Sequence, residues 1–505
     1  MNDKNVKEFL IMGLLFLVSG LWLNLCKAED NRPNFIVFIA DDVSWNDYGC
    51  YGNQHARTPN IDHLADSGLK FNNAFLTASS CSPSRASMIT GRYPHNNGKA
   101  AELHLAIASH LPWFPERLRD TGYYTALVGK NHMKRDRTGP DGEPASEAFD
   151  LVNNGQLKDN HGAEGKWVDT VKNRPKDRPF FFWFAAIDAH RDWEADREWK
   201  RKYGPMHQAD AVVVPPYLVD DIDTRKDLAS YYNEVTRFDF YIGQVVKTLE
   251  EEGQLENTLI LVLADNGRPF PRAKTRLHDS GMKTALVAHW PRGIRNSGGQ
   301  AEGLVSVIDI APTVLELAGL DSPETFQGIS FGPILKDPTH ETRRFVFSEH
   351  NWHDYEAHGR AIRDAEGHLF IVNSRKQFAW QGPADSVRSP SHQSLLRLAE
   401  SSQSLTLAQQ DVLLAPRTKF ELFDTRSDPL QIDNRAGQVG MAVVEARLRA
   451  NLEQWGEETR DSIPDKLSID SFDRRTGKRI VSEKYRFTTP GEDRGASRIN
   501  RPGPR

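Results

Sequence analysis

The sequence predicts an α/β fold, with a large, mostly parallel sheet flanked by helices and a smaller α+β subdomain behind it. Three observations lead there. Apolar stretches of strand length alternate with helical patterns over the first two thirds of the chain. Several of these stretches run straight into charged or amide residues, as strands do when they end at a ligand site. After about Leu335 the texture changes to shorter, more polar strands.

The elements follow in order. "NFIVFIADD" (Asn34 to Asp42) reads as a buried strand ending in two carboxylates. "TPNIDHLADSG" reads as a helix capped by Thr58, with Pro59 first and Gly68 beyond its end. "SSCSPSRASMITGR" predicts a short helix with Ser82 as N-cap, Pro83 at the first helical position and Gly91 as the stop, which leaves Cys81 just outside a helix N-terminus that favours negative charge. "YYTALVGKNH", "RPFFFWFAAIDAH" and "NTLILVLADNG" are further buried strands with polar ends. From Asp227 to Gly253, Leu228, Tyr231, Val235, Phe238, Ile242, Val245 and Leu249 keep the spacing of an amphipathic helix. "TALVAHWP" and the helical "VIDIAPTVLELAGL" follow. "FVFSEH", "GRAIRD", "HLFIVN" and "FELFDT" predict a short antiparallel sheet, and Val439 to Trp455 a last amphipathic helix. The expected boundaries are a catalytic domain over 29–338, a subdomain over 339–460 that completes a pocket, and an Arg-rich tail over 461–505. The tail's final dozen residues are expected to be disordered.

Bulk composition excludes some functions. A net charge of −5 over 505 residues gives no reason to expect nucleic acid. A weakly basic start at Lys4 and Lys7, the apolar run Phe9 to Leu25 and a small-x-small site ending at Ala28 predict a cleaved signal peptide over 1–28, hence export to a periplasm or medium. Cys26 could instead carry a lipid, but Leu25 before it is a poor match. No second run approaches membrane length, so no stable span is expected after cleavage. Cys50 and Cys81 then remain, and a disulfide between them is an open alternative.

Asp41, Asp42, Lys130, His132, His190, Asp265 and Asn266 all fall at carboxyl ends of inferred strands. Asp41, Asp42, Asp265 and Asn266 offer oxygen only, which suits Ca²⁺ or Mg²⁺ rather than zinc. Each pair alone reads equally as a turn. Arg85, Lys130, His132, His190, Arg191 and Lys274 could surround a tetrahedral oxyanion, and phosphate and sulfate both fit.

"CSPSRASMITG" resembles the sulfatase signature, Cys-x-Pro-x-Arg followed at fixed distance by Thr-Gly, here Cys81, Pro83, Arg85, Thr90 and Gly91. The resemblance covers about Asn34 to Trp455. It implies an alkaline-phosphatase-like fold, oxidation of Cys81 to formylglycine by a maturation enzyme, and a Ca²⁺ (or Mg²⁺) on Asp41, Asp42, Asp265, Asn266 and the modified Cys81. It implies that one hydroxyl of the hydrated aldehyde attacks sulfur and that the second expels sulfate. Arg85 would steady the diol, Lys130 and His132 would bind it and the sulfate, and His190 and Lys274 would contact sulfate and protonate the leaving group.

"GKNHM", "DAHR" and "DNGRPFPRAKT" resemble the heparan N-sulfatases (sulfamidases, N-sulfoglucosamine sulfohydrolases) in particular. "WHD" at Trp352 to Asp354 is similar to a sulfamidase His-His-Glu element and departs from it by Trp for His and Asp for Glu. Lys274 stands where sulfamidases may carry Arg. The resemblance implies a sulfated glycan substrate, the N-sulfate of terminal N-sulfoglucosamine, with Arg191, His353 and Asp354 as substrate contacts. The alternatives are an O-sulfatase on another sugar, a phosphatase or phosphonate hydrolase of the same superfamily, and a catalytically silent glycan-binding relative.

Overall fold

A computed structural model describes residues 31–136, 147–154, 161–401, 404–481 and 486–505. The predicted signal peptide and Cys26 lie outside them.

Eight strands make the main sheet. They are β1 (Asn34–Ala40), β2 (Leu69–Phe71), β3 (Tyr124–Gly129), β4 (Leu151–Asn153), β5 (Phe180–Ala185), β6 (Thr258–Ala264), β7 (Leu286–His289) and β8 (Gly299–Ala301). Their order is β4-β3-β5-β1-β6-β7-β2-β8. β1, β3, β5 and β6 are mutually parallel, while β7 runs antiparallel to β6 and β2. All seven residues of β1 are buried, as befits a central strand covered on both faces.

The pleat splits β1 between two cores. Phe35, Val37 and Ile39 face one, and Ile36, Phe38 and Ala40 the other. Helix α1 (Pro59–Asp66) begins after Thr58 with Pro59 first, as predicted, but the Thr58 hydroxyl does not cap it: it accepts the Gly49 N–H at 2.8 Å and donates to Asp62 Oδ1 at 3.0 Å. Helix α3 (Ile222–Glu251) starts where the Asp221 carboxylate accepts the Thr224 N–H at 2.9 Å. It lays Leu228, Tyr231, Val235, Phe238, Ile242, Val245 and Leu249 into the second core. Helix α4 (Ile310–Leu317) covers the opposite face with Ile310, Val314 and Leu315.

Helix α2 (Cys81–Thr90) starts earlier than the sequence suggests. Ser80 is the flanking residue and Cys81 is already helical, so Ser82 does not cap. Its hydroxyl instead accepts the His104 N–H at 2.8 Å. Gly91 ends the helix at φ 63°, in the left-handed region that favours glycine.

The predicted second sheet is present and antiparallel, built from β9 (Phe345–His350), β10 (Gly359–Asp364), β11 (His368–Asn373) and β12 (Phe420–Asp424). Helix α5 (Ala442–Thr459) packs Leu448, Leu452 and Trp455 against Phe347, Ile362, Phe370 and Leu422. Each such side chain contributes roughly 1.5–3 kcal/mol on full burial.

The expected disorder of the last dozen residues is not what the structure shows. Buried Arg92 binds the Asn500 side chain at 2.9 Å and the Ile499 carbonyl at 2.6 Å, and the Arg501 carbonyl accepts from Gln327 at 2.9 Å. An internal guanidinium needs acceptors, and the tail backbone supplies them.

Candidate active site

Parallel register brings the site together. Ala40 of β1 pairs with Ala264 of β6, so Asp41 and Asp265 leave the sheet side by side. Gly129 pairs with Ala185, which sets Lys130 level with the segment leading to His190. Gly129 sits at φ 114°, and a Cβ there would lie 1.8 Å from the Ala185 carbonyl oxygen, so no other residue lets the chain turn at this point.

Asp41, Asp42, Cys81 and Asp265 are all buried and offer donor atoms within 4.8 Å of one another. Cys81 Sγ is 3.6 Å from Asp41 Oδ1 and 3.9 Å from Asp42 Oδ1. Arg85 Nε donates to Asp265 Oδ2 at 2.7 Å and its Nη1 to the Lys130 carbonyl at 3.0 Å. Lys130 Nζ pairs with Asp41, and Asn266 Nδ2 donates to Asp42. Lys274 Nζ contacts both oxygens of Asp42. Buried Asn266 Oδ1 and Arg85 Nη2 have no protein partner among the described residues.

Three buried carboxylates, a residue at position 81 and an unpartnered amide oxygen form a donor set that fits a hard divalent cation. The electrostatics agree. Burial opposes ionisation of Asp41, yet Lys130, His190, Arg85 and Lys274 hold its carboxyl well below the usual range. Burial pushes Asp42 up to about 6, Lys274 opposing and Asp41 adding. Burial likewise pushes the Cys81 thiol well up against the pull of Lys130 and Lys274, so an unmodified thiol here is a poor nucleophile. Cys50 and Cys81 are both free, which removes the disulfide alternative.

A cavity of about 580 Å³ opens onto this cluster. Cys81, Lys130, His132, His190, Lys274, His353 and Asp354 all line it. His132 Nε2 lies 2.7 Å from His104 Nδ1, and burial with the Lys130 charge holds His132 well below its usual range. His190 Nδ1 is taken up by the Arg191 carbonyl, which leaves Nε2 for the cavity. His353 Nδ1 is 2.6 Å from Ser80 Oγ, and burial keeps that ring neutral. Asp354 accepts the Ala384 N–H at 3.0 Å and is pushed up to about 6 by burial.

Arg191 does not belong to this group. Its guanidinium grips Asp227 at 2.7 and 2.9 Å, donates to the Pro269 carbonyl at 3.0 Å, and lies against Trp193 and Phe270. Its donors are committed to the scaffold, so the substrate contact expected from sequence is corrected to a structural role.

Asp385 was not among the sequence candidates. It lines the cavity, and its carboxylate lies within 4.8 Å of His190 and Asp42 donor atoms. Burial opposes its charge, but Lys274, His190 and Arg191 lower its pKa. "GPADSVR" carries no motif that marks it, and only the placement of the second subdomain brings it here.

Comparisons with known proteins fit this geometry. The sulfatase family model matches residues 33–320, and a model described as N-sulphoglucosamine sulphohydrolase, C-terminal, matches 272–373. The chain is 30% identical over 485 residues to human N-sulphoglucosamine sulphohydrolase, covering 87% of this chain and 93% of that one. It is 27% identical to an ulvan-active sulfatase of Formosa agariphila, over 84% of this chain and 74% of that one. A solved structure in complex with its substrate D-glucosamine-2-N,6-O-disulfate superposes with a TM-score of 0.62 at 18% identity, over 84% and 98% of the two chains, and shares the fold. A family model spanning more than half the chain, a relative matched over nearly its whole length and a buried acidic cluster at the strand ends lead to one conclusion: the chain belongs to the sulfatase family and is a sulfuric ester hydrolase.

Proposed function

We propose that this sulfatase hydrolyses the N–S bond of terminal N-sulfoglucosamine in heparan sulfate or heparin fragments. The observation that carries this reading is the cavity wall that the second subdomain adds beside Cys81. His353 and Asp354, from the second subdomain, line the same cavity as the sulfate-binding cations. They lie within the segment that matches the N-sulphoglucosamine sulphohydrolase C-terminal model. The 30% identity to the human enzyme of that name supports it.

Cys81 is matured to formylglycine, whose hydrate supplies one hydroxyl as the oxygen nucleophile and a second hydroxyl whose deprotonation expels sulfate and restores the aldehyde. A Ca²⁺ (or Mg²⁺) held by Asp41, Asp42, Asp265, Asn266 and residue 81 supplies Lewis-acid polarisation of the sulfate oxygens. The chain's own side chains do the rest. Lys130 and Lys274, already seated on Asp41 and Asp42, present N–H donors to sulfate oxygens and stabilise charge as it develops. Arg85 Nη2, buried and without a partner among the described residues, is available to orient the hydroxyls at residue 81. His132 assists from the Lys130 turn. His190 Nε2 delivers the proton to the departing nitrogen while the Arg191 carbonyl fixes the ring through Nδ1. The enzyme is exported through its N-terminal segment and depends on a formylglycine-generating partner.

The test is a panel of N-sulfoglucosamine, glucosamine 6-sulfate and 2-sulfated uronate disaccharides with matured enzyme. Preference for either O-sulfated substrate overturns the N-sulfate reading. His353→Ala is expected to weaken saccharide turnover far more than turnover of a small aryl sulfate, and equal losses would make His353 structural.

A further inference from the structure

The Arg-rich tail supplies part of the cavity mouth. Phe472 lines the cavity, as does Arg388 from the turn after Asp385. The segment "SFDRRTGKR" (Ser471 to Arg479) folds back on itself: Phe472 and Arg479 form an antiparallel bridge, Asp473 N donates to the Lys478 carbonyl at 2.8 Å and Gly477 N to the Asp473 carbonyl at 2.8 Å. The turn is fastened to the pocket wall. Ser471 N donates to the Asp354 carbonyl at 2.9 Å, and Arg388 Nη1 donates to the Gly477 carbonyl at 2.6 Å.

Two guanidinium groups flank the Phe472 ring, Arg388 at 6.0 Å and Arg479 at 5.9 Å from its centroid. Lys478 precedes Arg479 in sequence. All three cations are exposed, and among the described residues none pairs with a carboxylate. The neighbouring arginines are neutralised, Arg474 by Asp470 and Arg475 by Glu400. A basic group fixed at the mouth of a site for anionic sugars, with no ion pair among the described residues, attracts a second anion from the same substrate.

Resting on the N-sulfoglucosamine reading, we propose that Arg388, with Arg479 on the same Phe472 ring, binds the anionic group of the sugar next to the one being desulfated. The substrate is then an oligosaccharide whose adjoining residue carries a carboxylate or O-sulfate, and Phe472 is the apolar floor under that sugar. The depth of the cavity recognises the sulfated residue, and the tail recognises its neighbour.

The experiment compares kcat/KM for the N-sulfoglucosamine monosaccharide, its uronate-linked disaccharide, the same disaccharide with the carboxyl reduced to an alcohol, and one carrying a 2-O-sulfate. Wild type is expected to prefer the charged disaccharides. Arg388→Ala should lower the disaccharide-to-monosaccharide ratio about tenfold through KM, the size of one good charge-assisted contact. Arg388→Lys should restore part of it, and added salt should erode the wild-type preference. Loss of preference on carboxyl reduction assigns the carboxylate as the ligand, and its retention only in the 2-O-sulfated arm assigns the sulfate. If wild type handles both charged disaccharides no better than the reduced one, or Arg388→Ala changes monosaccharide and disaccharide alike, the inference falls while the N-sulfatase reading stands. If wild type releases no N-sulfate from any of the four, both fall together.

Discussion

Lys274 Nζ lies 2.6 and 2.8 Å from the two carboxylate oxygens of Asp42, and both side chains are buried, at 1% and 0% exposure. Burial alone would lower the lysine's pKa, but Asp42 raises it well above its usual value, so the ammonium is permanently charged. Its third N–H is left for the cavity that it lines. Removing one member of such a pair leaves the other buried and uncompensated, at a cost of about 3–5 kcal/mol. Lys274→Ala is therefore expected to lower both thermal stability and kcat/KM, the latter about a hundredfold or more. Lys274→Arg keeps the charge and should keep a larger share of activity. Wild-type kinetics in Lys274→Ala would remove the residue from sulfate binding.

Maturation gives a second expectation. The buried, high-pKa thiol of Cys81 is chemically quiet, so turnover should require its conversion to an aldehyde. Peptide mass spectrometry of enzyme made beside a formylglycine-generating partner should show that conversion, and Cys81→Ala should be inactive. Full activity of protein with an intact thiol would refute the proposed chemistry.

Asp265 tests the cation. Its Oδ2 receives Arg85 Nε at 2.7 Å, and it completes the acidic cluster. Asp265→Ala is expected to abolish sulfate release and to lower bound divalent metal measured by elemental analysis. Chelation of wild type should reproduce the loss, and added Ca²⁺ or Mg²⁺ should reverse it. Undiminished turnover by metal-free protein would contradict the assignment.

The tail is also expected to matter for stability. Arg486 stacks over Trp352 at 3.5 Å and binds Glu102, which is 1% exposed, at 2.8 Å. Trp352 in turn packs with Cys81 and Leu103. Arg486→Ala strips a buried carboxylate of its partner, and chemical denaturation should report a loss of about 3 kcal/mol. A change within error would show that the tail is a passive wrapping.

Acid should weaken the fold through buried histidines. His358 Nδ1 is 3.1 Å from Ser374 Oγ and Nε2 is 3.3 Å from the Ser462 carbonyl. Burial, with Arg360 adding, lowers it from 6.5 to about 3. A histidine whose folded pKa is depressed contributes stability that is present above pH 6.5 and lost as pH falls towards 3. Near pH 4.5 the loss should reach about 2–3 kcal/mol. His358→Gln should flatten that part of the profile of Tm against pH, and an unchanged slope would place the acid sensitivity elsewhere.

The strands, the long helix and the metal-type carboxylates could be read from the chain because each depends on local pattern. β1 and β6 are continuous apolar runs that only a sheet covered on both faces can bury, and parallel strands deliver their polar ends to one edge. The "CSPSR" run likewise declares its chemistry without help from distant residues. What the sequence left open was decided by contacts far apart in the chain. Ser82 has the chemistry of a cap, but His104 takes its hydroxyl, and the helix starts two residues earlier than predicted, at Cys81. Arg191 sits next to His190 in sequence, but Asp227 on α3 turns its guanidinium into the scaffold. Asp385 and Arg388 carry no motif and enter the cavity only because the second subdomain packs there. The last dozen residues of the arginine-rich tail read as disordered by composition, yet the tail is held because buried Arg92 takes its Ile499 carbonyl and buried Glu102 takes Arg486. Local pattern thus determined which groups the protein carries. Tertiary packing decided which of them face the substrate, because a buried charge goes wherever its compensating partner lies.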